Sequence, residues 1–246
     1  MADMASTREG VSLAVSTIIF ALRPDPATGR SVVSLPLVRR TREPFDGRWA
    51  LPGGWAQADE GLEITALRTL AETTAVTPGY LEQLYCFGAP DRSPTGRVVS
   101  IVYWALVRPE QTDAEHEAEN VRWFAADSLP DLAFDHKEIV EYALWRLRTK
   151  MEYSRIAHAL LGETFTLSEL RLVHEAVLGR QLDPANFRRQ MEASGSLVPT
   201  GQRVTGGRHR PPRLYRYDTG IALADNGPLS SLTNLPAGED AGHDLH

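Results

Sequence analysis

Apolar and polar positions divide the chain into a strand-rich part and a helical part. Short apolar runs rich in β-branched residues suit buried strands, and Pro36 inside one of them predicts an edge strand or a bulge. The predicted strands are residues 11–22, 30–39, 80–89, 97–107 and 121–124. Residues 59–74 and 134–150 repeat apolar side chains at helical spacing instead. Strands mixed with two helices predict an α/β fold, a mixed-sheet α/β/α sandwich over 11–150.

A second module follows, and its boundaries are marked by helix-capping signals. Thr166 and Glu169 have the spacing of a capping box, and Gly179 is placed to end that helix. Asp183 followed by Pro184 predicts the start of another helix. The module covers 151–218, with helices over 152–161, 166–178 and 183–193 and strands over 196–204 and 213–217. Three helices and a hairpin in this order predict a winged helix-turn-helix.

The ends of the chain and the bulk composition narrow the class of protein. Residues 1–10 and the acidic stretch 219–246 are polar and aperiodic, which predicts disorder. No apolar run approaches the roughly 20 residues that span a bilayer, and the N-terminus has no signal-peptide pattern. The single cysteine, Cys86, excludes an internal disulfide. We therefore expect a cytoplasmic protein that does not enter a membrane.

Charge is distributed unevenly along the chain. The formal net charge is −6, yet residues 155–218 hold 10 arginines against 6 acidic residues. Within 187–217 there are seven arginines and one acidic residue, Glu192. A local basic surface on an acidic protein indicates a polyanionic partner. A solvated arginine-rich face is the plainer alternative.

The segment from Ala50 to Val76 carries the most specific motif. It begins with ALPGGW and continues into the helix predicted over 59–74. Its spacing resembles the Nudix box, which reads G, five residues, E, seven residues, then R-E-U-x-E-E-x-G-U, where U is aliphatic. The matching residues are Gly54, Glu60, Arg68, Leu70, Glu72 and Val76, and the departures are Thr69, Thr73 and Ala75.

The departures alter the chemistry that this resemblance implies. Nudix enzymes cleave nucleoside diphosphate derivatives with a divalent metal, usually Mg²⁺, which prefers carboxylate oxygens. The motif glutamates at the positions of Thr69, Glu72 and Thr73 would share one helix face, and two of them are threonines here. We expect a domain that binds a nucleotide without cleaving it efficiently. Glu60 and Glu72 remain as candidates for residual metal binding.

Candidate ligand residues surround the same motif. Arg39 and Arg48 lie before it, and arginine matches the geometry of phosphate. Trp49 could stack on an adenine and is equally consistent with a core residue. The backbone of Gly53 and Gly54 could approach a ligand closely.

Three further polar residues are predicted near this pocket. Arg92 lies in the loop before the longest apolar strand and could face the same ligand. Asp135 is expected to cap the helix over 134–150. His136 has no accompanying ligand spacing, so we expect no metal role for it.

The second module offers residues suited to DNA. In a helix-turn-helix, the second helix lies in the major groove with its N-terminal residues on base edges. Asparagine and arginine there can make bidentate base contacts, and arginines at a hairpin tip can reach phosphates or a minor groove. An RNA or protein contact is the alternative. The candidates are Asn186, Arg188, Arg189, Arg208, Arg210 and Arg213.

Together, the two modules resemble the Nudix-related transcriptional regulators of NAD metabolism, the NrtR family, over roughly residues 11–218. The resemblance implies a homodimeric repressor on a palindromic operator near NAD biosynthesis or salvage genes. It implies that an NAD-derived nucleotide such as ADP-ribose weakens operator binding, with no required cofactor and with Mg²⁺ as an optional ion. We expect the coupling to run through the 134–150 helix and the junction near Met151.

Two other readings remain open at this point. The chain could be an active ADP-ribose pyrophosphatase with an accessory winged-helix module. It could also be a nucleotide-binding adaptor whose basic hairpin contacts protein or RNA. Turnover with Mg²⁺ separates the first reading from a regulator, and salt-dependent, sequence-selective duplex binding separates the second.

Overall fold

The N-terminal module is a seven-stranded sheet with one helix on each face. A computed structural model describes residues 10–74, 78, 80–108, 120–153, 156–204 and 211–218. In the described part of the chain, no helix is both long and apolar enough to cross a membrane. The strands are β1 Ser12–Pro24, β2 Ser31–Arg39, β3 Trp49–Ala50, β4 Gly53–Trp55, β5 Tyr80–Phe87, β6 Val98–Leu106 and β7 Val121–Ala125, and the helices are α1 Leu62–Thr74 and α2 His136–Tyr153.

Strand β1 holds the sheet together because it pairs with three others. It runs parallel to β6 from Ser12↔Val98 to Phe20↔Leu106, and antiparallel to β2 and β4. Alternate residues of a strand face opposite sides, so Ile18 and Phe20 face α2 while Val15 and Ile19 lie in the cluster that includes α1 residues. The predicted mixed-sheet α/β/α sandwich is confirmed.

Pro36 lies inside the sheet, so the predicted edge strand or bulge is wrong. Strand β2 pairs with β7 at Pro36↔Trp123. The N–H of Arg39 donates to Asn120 O at 2.7 Å, on the side of β7. Backbone N–H groups point alternately to the two sides of a strand, so the nitrogen of Pro36 faces the side away from β7. On that side β1 pairs only as far as Ser34 and β3 begins at Val38. Proline is tolerated because its missing N–H faces this gap.

Glycines in the ALPGGW segment serve strand packing. The predicted turn is a short strand, β4, paired antiparallel with β1 at Val15↔Gly54 and Ser16↔Gly53. A Cβ on Gly53 would lie 2.5 Å from the carbonyl oxygen of Val15, and one on Gly54 would lie 3.3 Å from Cγ2 of Thr69. Glycine is therefore required here because the backbone of β4 lies close to other parts of the protein itself.

The C-terminal module has the elements of a winged helix. Helix α3 Leu167–Leu178 begins with a full capping box from Thr166 and ends at Gly179 in the left-handed conformation. Helix α4 Pro184–Ala193 has Asp183 as its N-cap, and the wing strands are β8 Leu197–Arg203 and β9 Arg213–Tyr217. The helix predicted over 152–161 is wrong, because α2 extends to Tyr153 and a 3-10 helix covers Ile156–Leu160.

One apolar core joins the two modules. It runs from the β2 side chains Leu35 and Leu37 through Leu147 of α2 to Val177 of α3 and Phe187 of α4. Helix α3 packs against both α2 and β2. The winged helix is therefore seated on the sandwich through buried apolar surface, which stabilises their relative position.

Truncation of Leu147 tests this shared core. Its side chain is fully buried, so we expect Leu147→Ala to lower the free energy of unfolding by about 2–5 kcal/mol through lost burial and a cavity. Trp145→Ala, on the same helix but 54% exposed, is the control and should cost less. Denaturant unfolding at constant pH measures both variants. A loss below about 1 kcal/mol for Leu147→Ala would show that the site is not tightly packed.

Candidate effector cleft and nucleic-acid interface

A tight loop between β2 and β3 forms one wall of a polar cleft. Phe45 and Gly47 adopt positive φ values of 66° and 74°, and the N–H of Gly47 donates to Arg40 O at 2.9 Å. The ring of Phe45 meets that of Phe134 edge-on, with centroids 4.9 Å apart. The Arg40 guanidinium lies 4.8 Å from the centre of the Phe134 ring. These contacts fasten the loop to the start of α2.

The cleft beside this loop has a volume of about 570 Å³. Two arginines support its wall: Nε of Arg39 donates to Gly47 O at 3.3 Å, and Nε of Arg40 donates to Pro44 O at 2.8 Å. Nη2 of Arg40 also donates to Arg42 O at 3.3 Å. The two guanidinium groups bring positive charge to the cleft, which suits a phosphate or pyrophosphate. The cleft is lined by Arg39, Arg40, Thr41, Asp46, Gly47 and Asn120.

The predicted ligand residues are only partly brought together. Arg39 lines the cleft, and the Arg48 guanidinium lies over the Phe45 ring of the same loop, 5.8 Å from its centre. Trp49 is half-buried and packs edge-on against Phe124, with centroids 5.0 Å apart. Gly53 and Gly54 lie on β4 beside β1, outside this lining.

Arg92 fixes the segment at the start of α2 through an ion pair with Asp135. Its Nε and Nη2 donate to the two carboxylate oxygens of Asp135 at 2.8 and 2.6 Å, and only 5% of its side chain is exposed. Asp135 stands where an N-cap would, because its backbone carbonyl accepts from the N–H of Ile139. Its side chain, predicted to cap α2, is held by Arg92 instead. A bidentate pair of this kind fixes the segment that carries Phe134.

His136 connects the start of α2 to Leu51, near the beginning of the segment that resembles the Nudix box. Its Nδ1 accepts from the N–H of Leu51 at 2.9 Å, so the neutral ring is required. Burial is the main cause that lowers the pKa of His136, to about 4. Within the described residues, no group of three or more His, Cys, Asp or Glu side chains is placed to hold a metal ion.

One of the two carboxylates that the motif retains, Glu60, is bonded to side chains of the protein itself. It accepts from Nε and Nη2 of Arg68 at 3.0 and 2.9 Å and from the hydroxyl of Thr65 at 2.8 Å. The hydrogen bond from Arg68 is the largest cause that lowers the pKa of Glu60. Glu72 reaches the same arginine at 3.4 Å with its side chain 62% exposed. Arg68 therefore clamps the loop before α1 onto the helix.

The two threonines in glutamate positions turn their hydroxyls to the backbone of α1. Thr69 is 3% exposed and donates to Ala66 O at 3.0 Å, while Thr73 donates to Thr69 O at 2.7 Å. A neutral hydroxyl bonded in this way supplies no negative charge for a divalent cation. Thr69 lies against the sheet instead, with its hydroxyl 3.4 Å from that of Thr17 on β1 and its methyl group beside Gly54 of β4.

The face of α4 away from the core presents the predicted base-contact residues. Phe187 is buried and anchors the helix against His174 of α3, with ring centroids 5.1 Å apart. Asn186 and Arg189 are exposed and joined, because Nη2 of Arg189 donates to Asn186 Oδ1 at 2.7 Å. Arg188 is exposed and pairs with Glu192 at 2.9 Å. These groups offer the donors and acceptors that read base edges.

A carboxylate fixes the turn that orients α4. Glu175 Oε1 accepts from the N–H of Leu182 at 2.7 Å and from Nη1 of Arg171 at 2.6 Å. Burial lowers the pKa of the neighbouring His174, whose Nδ1 lies 2.8 Å from Leu170 O. The turn and the packed ring together hold α4 at a fixed angle to α3.

The wing concentrates positive charge across its two strands. Arg203 stands opposite Arg213, and Nη1 of Arg203 donates to Pro211 O at 2.9 Å. Like charges opposite each other destabilise a hairpin, so this pair indicates a surface that meets a polyanion. Arg208 and Arg210, also predicted to contact DNA, lie outside the described residues.

Sequence reasoning missed several residues of both sites. Asp46 and Asn120 line the cleft although 74 residues separate them in the chain, so no local pattern joins them. The arginine-rich stretch 187–217 indicates that Arg203 belongs to a basic surface but does not place it opposite Arg213. The residue opposite Arg203 is set by the register of the two strands, which depends on how they pair and cannot be deduced from composition.

Comparison with known proteins identifies both modules. Residues 14–143 match the model of the NUDIX domain, and residues 157–217 match that of the NrtR DNA-binding winged helix domain. The chain is 36% identical over 187 residues to the "ADPR responsive transcriptional repressor NtrR" of Acinetobacter baylyi, covering 74% of each chain. It is 36% identical over 111 residues to the ADP-ribose pyrophosphatase of Methanocaldococcus jannaschii, covering 45% of this chain and 66% of that one.

A solved structure extends this likeness to the whole two-module arrangement. The structure of Shewanella oneidensis NrtR complexed with a 27mer DNA superposes with a TM-score of 0.71 at 37% identity. The match covers 84% of this chain and 93% of the Shewanella chain. The predicted order of modules, Nudix domain followed by winged helix, is thereby confirmed.

His136 gives the site a pH-dependent stability that can be measured. Its folded pKa of about 4 lies below the ordinary value of about 6.5, so the unfolded chain binds the extra proton between these pH values. Stability should therefore fall as the pH drops through this window, by about 2 kcal/mol between pH 7 and pH 5 from this residue. Urea unfolding of the wild type and of His136→Gln isolates it, since glutamine can also accept the Leu51 N–H. Equal pH slopes for the two proteins would contradict the assignment.

Proposed function

This chain belongs to the NrtR family, in which a Nudix domain precedes a DNA-binding winged helix, and we propose that it is a transcriptional repressor whose operator binding is weakened by ADP-ribose. It binds DNA through the winged helix and senses an NAD-derived nucleotide through the Nudix domain. Its target genes belong to NAD biosynthesis or salvage. The Acinetobacter relative, named as an ADPR-responsive repressor, supports the choice of effector.

The observation that carries this proposal is the combination of a retained Nudix frame with lost metal ligands. Glu60 and Arg68 still clamp the loop to α1 at 2.9 Å, whereas Thr69 and Thr73 direct their hydroxyls to helix carbonyls. A sensor benefits from this change, because a domain that hydrolyses its effector destroys the signal. Mg²⁺ binding through Glu60 and Glu72 is at most residual, and no cofactor is required.

The cleft beside the 40–48 loop is the proposed effector site. Arg39 and Arg40 supply charge for the two phosphates of ADP-ribose. Arg48 and Trp49 follow directly and extend the site from the loop toward β3. Arg92 acts behind the wall by holding Asp135. Gly53 and Gly54 lie outside the cleft lining and bring β4 close to β1.

The proposed DNA interface consists of α4 and the wing. Asn186 and Arg189 act on base edges as a hydrogen-bonded pair. Arg188 contacts a base or a phosphate, and Arg213 contacts the backbone. Arg208 and Arg210 reach phosphates or the minor groove from the tip of the wing.

Two copies of the chain are proposed to act together in the cytoplasm. A homodimer presents two recognition helices related by a two-fold axis, and a palindromic operator has the same symmetry. We place the effector domain at 11–150 and the DNA-binding domain at 151–218. The two ends for which the sequence predicts disorder, 1–10 and 219–246, lie outside the described residues except for Gly10.

An active ADP-ribose pyrophosphatase is the second candidate function. The partial likeness to the Methanocaldococcus enzyme favours it. Turnover of ADP-ribose with Mg²⁺ that Glu72→Gln abolishes would support the enzyme. Turnover too slow to deplete ADP-ribose during a DNA-binding titration would support the sensor.

Selection of genomic fragments by the purified full-length protein, with and without ADP-ribose, tests the repressor. We expect enrichment of a palindromic sequence that ADP-ribose reduces.

In the variant Arg189→Ala, discrimination at one operator position should fall by about 1–3 kcal/mol, because a bidentate base contact is lost. Arg213→Ala should weaken binding uniformly and reduce the salt slope by about one.

The control is Arg30→Ala, an exposed arginine in the turn before β2. It should leave both operator affinity and selectivity unchanged. If wild-type protein enriches no sequence at physiological salt, or if Arg30→Ala weakens operator binding as much as Arg189→Ala does, the assignment of the interface to α4 fails.

A further inference from the structure

Arg148 of α2 joins three parts of the protein that are distant in the sequence. Its Nε donates to the carbonyl oxygen of Val177 at 3.1 Å, and its Nη2 donates to Asp127 Oδ1 at 2.9 Å. Val177 belongs to the last turn of α3, the first helix of the helix-turn-helix. Asp127 follows β7 in the sandwich. One guanidinium therefore connects the sheet, α2 and the winged helix.

The contact to α3 is chemically well matched. The last carbonyls of a helix lack intrahelical partners, and the helix dipole places partial negative charge there. The carbonyl of Val177 is one of these groups, and the cation of Arg148 satisfies it. The planar fork of arginine can serve this carbonyl and a carboxylate at the same time, which a lysine ammonium does with less precision.

The other end of this connection is the effector cleft. Strands β2 and β7 are paired from Ser34↔Ala125 to Val38↔Val121. At one end, the N–H of Arg39 donates to Asn120 O at 2.7 Å, and both residues line the cleft. At the opposite end, the N–H of Ala126 donates to Val33 O at 2.8 Å, immediately before Asp127.

The strand pair thus spans the distance between the cleft and the Asp127 contact of Arg148. From Val33 to Arg39 a strand extends about 20 Å. Hydrogen-bonded strands move as a unit, so a displacement at Asn120 reaches Asp127 with little loss. Helix α3 also packs against β2 and α2, which gives the same strand pair an apolar contact with the winged helix.

We propose that Arg148 is the positioning residue that transmits the state of the effector cleft to the helix-turn-helix, through the β2–β7 pair, Asp127 and the end of α3. This inference rests on the proposed function. It adds a route through the sheet to the expected route along α2 and the Met151 junction. Ligand binding shifts α3, and with it α4, only if the two arrangements of this connection differ in ligand affinity.

The test compares operator affinity with and without saturating ADP-ribose, using full-length protein and the fragment that wild type selects. In wild type, ADP-ribose should weaken operator binding by a factor of roughly 5–150. In Arg148→Ala this factor should fall roughly 2- to 30-fold. Operator affinity without ADP-ribose, and ADP-ribose affinity without DNA, should both stay near wild type, a combination that a purely structural loss would not produce.

Arg146→Ala is the matched control. Arg146 lies on the same helix with a similarly exposed side chain, 36% against 39% for Arg148, and pairs with Glu82 at 4.0 Å instead. It should keep the wild-type factor. An Arg148→Ala protein that keeps the wild-type factor, or an Arg146→Ala protein that loses it equally, overturns the proposal.

Asp127→Ala, which removes the acceptor of the Arg148 hydrogen bond, decides the case in which Arg148→Ala loses operator affinity by itself. Asp127 is 72% exposed, and its replacement leaves the Arg148 contact to Val177 available. A reduced factor in this variant supports the proposal, and a wild-type factor overturns it. A wild-type protein that binds operator without any response to ADP-ribose would instead refute the proposed function.

Discussion

The arrangement of this protein depends on one apolar core shared by two modules. Leu35 and Leu37 of the sheet, Leu147 of α2 and Val177 of α3 belong to the same buried cluster. Because apolar burial is the main force that fixes packed elements, the winged helix has a defined position against the sandwich. The described contacts of α3 with α2 and β2 therefore connect the DNA-binding module directly to the sandwich.

The Nudix frame is retained while threonines stand at two positions where the Nudix motif has glutamates. The clamp between Glu60 and Arg68 keeps the loop before α1 in place, and Gly53 lets β4 approach β1. Thr69 and Thr73 donate their hydroxyls to carbonyl oxygens of α1 and contribute no charge. Fold maintenance and metal chemistry depend on different residues of the same motif, so the second can be lost while the first persists.

Sequence reasoning succeeded where local physics decides the structure. The capping box at Thr166 and the N-cap at Asp183 defined α3 and α4, because both signals act within a few residues. It failed where distant contacts decide. Strand β4 exists only through its pairing with β1, and the side chain of Asp135 serves Arg92, 43 residues away, instead of capping α2. Asn120 likewise reaches the cleft through the pairing of β2 with β7, whereas the rest of the lining comes from the continuous segment 39–47.

The most direct test of the central claim is reciprocity between the two sites. If ADP-ribose weakens operator binding, operator DNA must weaken ADP-ribose binding by the same factor, since both report one coupling free energy. Calorimetric titration of ADP-ribose into the full-length protein, free and saturated with operator duplex, measures that factor. The account predicts a lower ADP-ribose affinity in the complex, by the ratio found in the DNA titrations. Equal ADP-ribose affinities for free and DNA-bound protein would contradict it.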